Sequence, residues 1–95
     1  MPQFEYYNIN FAKDDNSTQL VVRGEVTNKS DRDYNAVAIR VILFSNNIPI
    51  VSTVVVVNGL AKGRTKSFDK IIEELEYDEV SRSINRFDVC TESAY

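Results

Sequence analysis

The 95-residue sequence contains no histidine, and it has only one cysteine, two prolines and three glycines. Without histidine, the chain lacks the commonest general base near neutral pH, the usual zinc ligand and the His-based catalytic triads. The single cysteine, Cys90, cannot form an internal disulfide and has no histidine to activate its thiol. The glycine-rich phosphate-binding motifs are also absent. We therefore expect a protein that is not an enzyme and that carries no catalytic residue, metal or cofactor.

The sequence also lacks the patterns that mark membrane and nucleic-acid proteins. Its longest uninterrupted apolar runs, Val54 to Val57 among them, are far too short to span a bilayer, so we expect no membrane insertion. Residues 1–20 have no basic start followed by an apolar run, which predicts no signal peptide, although a segment of a longer secreted or surface protein would look the same. The eleven basic residues are scattered and the net charge is -3, which argues against nucleic acid as a partner.

What the sequence does contain is enough apolar material for one compact core. Hydrophobic residues make up 43% of the chain, which excludes a disordered protein. Valine and isoleucine dominate this set, and β-branched side chains favour a pleated sheet over a helix. At this length we expect one domain over residues 1–95, in which nearly every apolar strand position is needed for the core.

Apolar runs with alternating pattern recur along the chain, separated by polar turn clusters. This spacing is typical of a sandwich or barrel and predicts an all-β fold, an immunoglobulin-like antiparallel β-sandwich of six or seven strands. The predicted strands cover residues 4–11, 18–28, 34–44, 48–57, 65–72 and 84–91, with one short helical segment near residues 78–82.

The alternation predicts which side chains face the core. In the first strand Tyr7, Ile9 and Phe11 share one face. In the second, Gly24 falls among inward-facing residues and has no side chain to pack, which predicts that a large side chain or a β-bulge lies over it. The predicted core contains Val22, Val26, Ile39, Val41, Leu43, Phe68 and Phe87.

A two-residue turn at Asn46-Asn47 sets the pairing of the third and fourth strands, since asparagine tolerates the positive φ angles of such turns. It predicts Leu43 opposite Ile50 and Ile39 opposite Val54. On this register the outer face of the hairpin is also apolar, although one wet face of an antiparallel sheet should be polar. Either a terminal segment or the acidic loop covers this face, or it contacts another protein or a second copy in a homodimer. The predicted interface residues are Ile42, Phe44, Pro49, Val51 and Val55.

Two polar turns leave other chemistry open. Asp14-Asp15-Asn16 and Asp31-Arg32-Asp33 carry the carboxylates that calcium prefers, but they also suit turns for conformational reasons. Asn16-Ser17-Thr18 and Asn28-Lys29-Ser30 match the glycosylation sequon, a short pattern that often arises by chance. A small calcium- or ligand-binding sandwich is therefore the alternative to an interaction or structural accessory module that acts through protein-protein contacts.

Residues 20–68 resemble the FxLYD domain family, small immunoglobulin-like modules of bacterial and archaeal proteins. The stretch from Leu20 to Ser30 is similar to the family's "vvGeVkNtS" strand and turn, Val41-Ile42-Leu43-Phe44-Ser45 occupies the position of F-x-L-Y-D, and Leu60-Ala61-Lys62-Gly63 with Phe68 is similar to "L-x-P-G-x-x-x-x-F". Val41, Ser45 and Lys62 depart from that pattern, so the resemblance implies the fold more than a shared ligand. The water-stress and hypersensitive-response domain has a similar outline. Neither family implies a catalytic activity.

Overall fold

The computed structural model describes residues 3–95, except for the side chain of Glu74, and these residues form six β-strands and one short helix. The predicted domain starts at residue 1, and residues 1 and 2 lie outside this described part. The elements are β1 Phe4–Lys13, β2 Gln19–Asn28, β3 Tyr34–Ser45, β4 Ile48–Leu60, β5 Thr65–Glu76, α1 Tyr77–Val80 and β6 Arg86–Ala94.

The strands form two antiparallel sheets of three strands each, with the orders β1-β2-β5 and β4-β3-β6. This is an immunoglobulin-like arrangement, with β1, β2 and β5 in the places of strands A, B and E and β3 and β6 in those of C and F. The predicted all-β sandwich is therefore confirmed. In the described residues β3 pairs with β6 on one side and β4 on the other, and no strand occupies the position beyond β6 where strand G of an immunoglobulin domain lies.

The core lies between β2 and β3, the central strands of the two sheets. Six of the seven predicted core residues are buried there, and Phe87 is the exception. Leu20, Val37 and Leu60 are fully buried as well. The buried aliphatic side chains therefore come mostly from the two strands whose period-two alternation is clearest in the sequence.

A β-bulge in β1 changes which residues of that strand face the core. Asn8 and Ile9 together lie opposite Gly24, and Asn8 adopts a left-handed φ of 53°. Because the extra residue reverses the alternation, Tyr6 faces inward while Tyr7 is exposed. The predicted inward position of Tyr7 is therefore wrong, whereas those of Ile9 and Phe11 are consistent with their packing against the core.

A second bulge shifts the register of the β3–β4 hairpin. The turn at Asn46-Asn47 is present with φ angles of 50° and 68°, and Phe44 pairs with Pro49 as predicted. Beyond that pair the register moves by one residue, so that Leu43 lies opposite Val51 rather than Ile50. Pro49 has no N–H for the ladder, which accounts for a bulge beside it. The register predicted for the rest of the hairpin is wrong.

The last part of the chain also differs slightly from expectation. The fifth segment is a strand, as predicted, but it continues to Glu76. Helix α1 falls at the predicted place and leads into the turn before β6. Ile84, which was expected in the last strand, precedes β6 and is buried beneath this turn.

Candidate interaction surfaces

The structure divides the predicted hairpin interface between the two faces of its sheet. Ile42 and Phe44 are half-buried on the outer face, and Pro49 is exposed opposite Phe44. Val51 and Val55 pair with Leu43 and Ile39, so they point inward, and Val55 is only 6% exposed within the core. Val51 and Val55 are therefore not surface residues, and their assignment to an interface was wrong because of the register shift.

The outer face of the hairpin is also more polar than predicted. Arg40 lies at its centre, where its Nη2 approaches Glu92 Oε1 at 2.7 Å and its Nη1 donates to Ser52 Oγ at 2.7 Å. The guanidinium of Arg86 lies 4.1 Å from the ring centroid of Phe44. These contacts break the apolar face into separate parts, so the hairpin does not present the contiguous patch that marks an interaction site.

A different apolar surface lies between the edges of the two sheets. We call the gap between β1 and β6 the open seam. It contains two cavities, of about 610 Å³ and 370 Å³. The side chains of the open seam that come from β1 and β6 include Tyr6, Phe11, Phe87, Val89 and Thr91. On the opposite side of the sandwich β4 contacts β5, and Lys66 Nζ donates to the Asn58 carbonyl at 2.7 Å, so that a smaller cavity of about 300 Å³ remains between these two strands.

Phe87 shows how incompletely the open seam is covered. It pairs with the fully buried Leu43, so its side chain lies on the inner face as its parity predicts. Phe87 is nevertheless 39% exposed, because β6 is an edge strand and the facing sheet does not extend over it. The prediction that Phe87 belongs to the core is wrong, and its ring instead lines the smaller cavity beside Phe11.

Tyr6 spans the middle of the open seam. Its hydroxyl shares a hydrogen bond with Thr91 Oγ1, the only side-chain hydrogen bond that joins β1 to β6 within residues 3–95. Burial raises the pKa of Tyr6, because the phenolate would lose water, although the bond to Thr91 opposes this shift. A single side-chain hydrogen bond between the two strands thus bridges a gap whose larger cavity has a mixed polar and apolar lining and whose smaller cavity has a mainly apolar one.

The four sheet edges differ in how they are protected against pairing with another strand. The β1 edge carries the bulge at Asn8, the β4 edge carries Pro49, and the β5 edge carries Lys66 and Lys70. Bulges, prolines and lysines are the devices that protect natural edge strands. The β6 edge carries a bulge at Glu92, but its residues 86–91 form a regular ladder with β3 and contain no proline, glycine or lysine. The stretch of β6 without such a device, residues 86–91, therefore borders the open seam.

The polar turns serve the fold in this structure. Asn28 is fully buried, and its Nδ2 donates to the carbonyls of Arg32 at 2.8 Å and Leu60 at 3.0 Å. Its amide nitrogen is thus enclosed, so the sequon at Asn28 is not accessible for glycosylation in the folded chain. Asp33 Oδ1 accepts from the Lys62 N–H, and Asp14 Oδ2 accepts from Ser17. Apart from Glu74, whose side chain is not described, residues 3–95 contain no group of three or more His, Cys, Asp or Glu side chains that could hold a metal ion.

Comparisons with protein-family models, with curated proteins and with solved structures found no match. Among the described residues, no helix is long and apolar enough to cross a membrane.

Proposed function

We propose that this chain is a non-enzymatic interaction module that acts through protein–protein contacts along the open seam. The observation that carries the proposal is the coincidence of an uncovered apolar row, from Phe11 to Phe87 and Val89, with the free edge of β6. Apolar side chains exposed beside an unpaired strand offer a partner both buried area and backbone hydrogen bonds.

The chemistry of the chain supports this proposal over the alternative. In the two candidate calcium turns, Asp14 already accepts a hydrogen bond from Ser17 of its own turn, and Asp33 accepts one from the Lys62 N–H in the loop between β4 and β5. Cys90 is exposed and borders the larger cavity of the open seam, but no histidine accompanies it to activate its thiol. We also propose that the chain is related to the FxLYD family. The members of this family are not known for catalysis, so the relation agrees with a role as an accessory module.

Position-specific photocrosslinking in cells that express the protein would test the proposal. A photoreactive phenylalanine analogue replaces Phe87 in the open seam, Phe44 on the hairpin face or Ser67 on β5. We expect a covalent adduct with a protein, whether a second copy or another chain, from position 87 and not from position 67. An adduct from position 44 alone would show that the interface lies on the outer face of the hairpin. The absence of an adduct from every position would refute the proposed function.

A further inference from the structure

We propose that a second copy of this chain occupies the open seam, by antiparallel pairing of β6 with β6 about a two-fold axis. This inference rests on the proposed function and names its partner. Because both copies use the same edge, no β6 edge remains free after two copies have paired. The pairing therefore produces a dimer and not a fibre. The resulting sheet would contain six strands, with β6 of each copy at its centre.

The side chains of β6 select one register for this pairing. When Val89 lies opposite Val89 of the other copy, Phe87 lies opposite Thr91 and both remain on the inner face. Arg86 then faces Glu92 of the other copy, at the β-bulge where the regular part of β6 ends, and this pair occurs twice because of the symmetry. Both side chains already lie on the outer face, where Arg86 stacks on Phe44 and Glu92 binds Arg40.

The neighbouring registers that keep the inner face inward place like charges together. When the partner strand is shifted by two residues in one direction, Asp88 lies opposite Asp88 of the other copy. The same shift in the other direction puts Asp88 opposite Glu92. Like charges directly opposite each other destabilise a strand pair, whereas Arg86 opposite Glu92 stabilises it. Charge complementarity therefore favours the register centred on Val89.

This arrangement also accounts for the uncovered apolar row. A two-fold axis perpendicular to the sheet keeps both inner faces on the same side, so the Phe87 and Val89 side chains of two copies form one continuous row. The exposed ring of Phe87 then lies beside the β6 strand of its partner instead of water.

Disulfide trapping tests the register directly. In the proposed dimer, position 88 lies opposite Cys90 of the other copy, so Asp88→Cys brings two thiol pairs within bonding distance. With diamide as oxidant we expect a covalent dimer from this variant on a non-reducing gel. The wild type and the Asp88→Cys/Cys90→Ser variant serve as matched controls, and neither should form it. Equal trapping in all three proteins, or none in any, would overturn the register.

A charge-exchange experiment tests the dimer without relying on disulfide formation. Arg86→Glu alone and Glu92→Arg alone each place like charges across the interface, so each should weaken dimerisation at least about tenfold. Mixed in equal amounts, the two variants restore both opposite-charge pairs and should again sediment at twice 10.8 kDa. Variants that dimerise like the wild type would contradict the Arg86–Glu92 pairing.

Sedimentation of the wild type separates this inference from the proposed function. If the wild type remains at 10.8 kDa at millimolar concentration, the second copy is not the partner. A photocrosslink from position 87 to a different protein would then preserve the proposed function while refuting the dimer. Absence of both a dimer and a crosslink would refute both.

Discussion

Gly24 of β2 lies directly opposite Phe68 of β5, and the Phe68 ring occupies the space that a side chain at position 24 would need. A Cβ atom built on Gly24 would lie 2.8 Å from Cζ of Phe68 and closer still to Cδ1 of Ile9. Both distances are below van der Waals contact. The prediction that a large side chain or a bulge lies over Gly24 is confirmed in both parts, because the Phe68 ring lies there and Ile9 belongs to the β1 bulge.

We expect Gly24→Val to destabilise the protein by about 1–3 kcal/mol, because the buried Phe68 ring cannot move away without disturbing the core. Urea denaturation measures this change. Phe68→Leu, which removes the ring edge, should reduce the cost of Gly24→Val when both changes are combined. If Gly24→Val instead raises the melting temperature, β2 has open space there and gains only the better strand propensity of valine.

The bulge in the hairpin makes opposite predictions for two adjacent valines. Val55 is 6% exposed and Val56 is 53% exposed. Val55→Asp should therefore unfold the protein or severely destabilise it by placing an unpaired charge in the core, whereas Val56→Asp should change the free energy of unfolding by less than about 0.5 kcal/mol. Circular dichroism during thermal melting distinguishes them. If Val56→Asp were instead the more destabilising variant, the result would support the unshifted register and Val55 as an interface residue.

The buried Asn28 joins the end of β2 to two neighbouring loops. Asn28→Ala leaves the Leu60 carbonyl without this donor in a dry environment, so we expect a loss of about 1–3 kcal/mol. Asn16→Ala, in an exposed turn, is the matched control and should have little effect. Equal stabilities of the two variants, measured by urea denaturation, would show that the Asn28 bonds do not stabilise the fold.

The raised pKa of Tyr6 predicts a loss of stability in alkali. The folded chain holds the phenolic proton more tightly than the unfolded chain, whose pKa is near 10.0, so this stabilisation is complete below that pH and disappears as the pH rises through the folded pKa. A hydrogen bond to Glu5 raises the pKa of Tyr7 as well, so the comparison is made in a Tyr7→Phe background. There, Tyr6→Phe should flatten the decline of unfolding free energy above pH 10. An unchanged slope would contradict burial of the Tyr6 hydroxyl.

The parts of this fold that could be predicted are those in which the alternation runs without interruption. In β2 and β3, consecutive residues such as Arg40, Val41 and Ile42 alternate between outside and inside, and the structure follows them. The errors arise at the bulges beside Asn8 and Pro49, each of which inserts one residue and reverses the faces beyond it. The run of four valines from Val54 to Val57 has no polar position from which to read its parity.

The candidate site could not be predicted for a related reason. The alternation correctly places Phe87 on the inner face, but parity does not reveal whether a facing strand covers that face. Coverage depends on where the two sheets end relative to each other, which is a property of the tertiary structure. The open seam becomes visible only when β1 and β6 are seen at the same side of the sandwich with a gap between them.

Hydrogen exchange at low and high protein concentration tests the central claim, that two copies of this chain contact each other along β6 and the open seam. The account predicts that amides within residues 86–91 exchange more slowly at high concentration, while those of β4, at the opposite edge of the same sheet, do not change. Protection that rises instead in β4 and at the hairpin turn, with β6 unchanged, would contradict it.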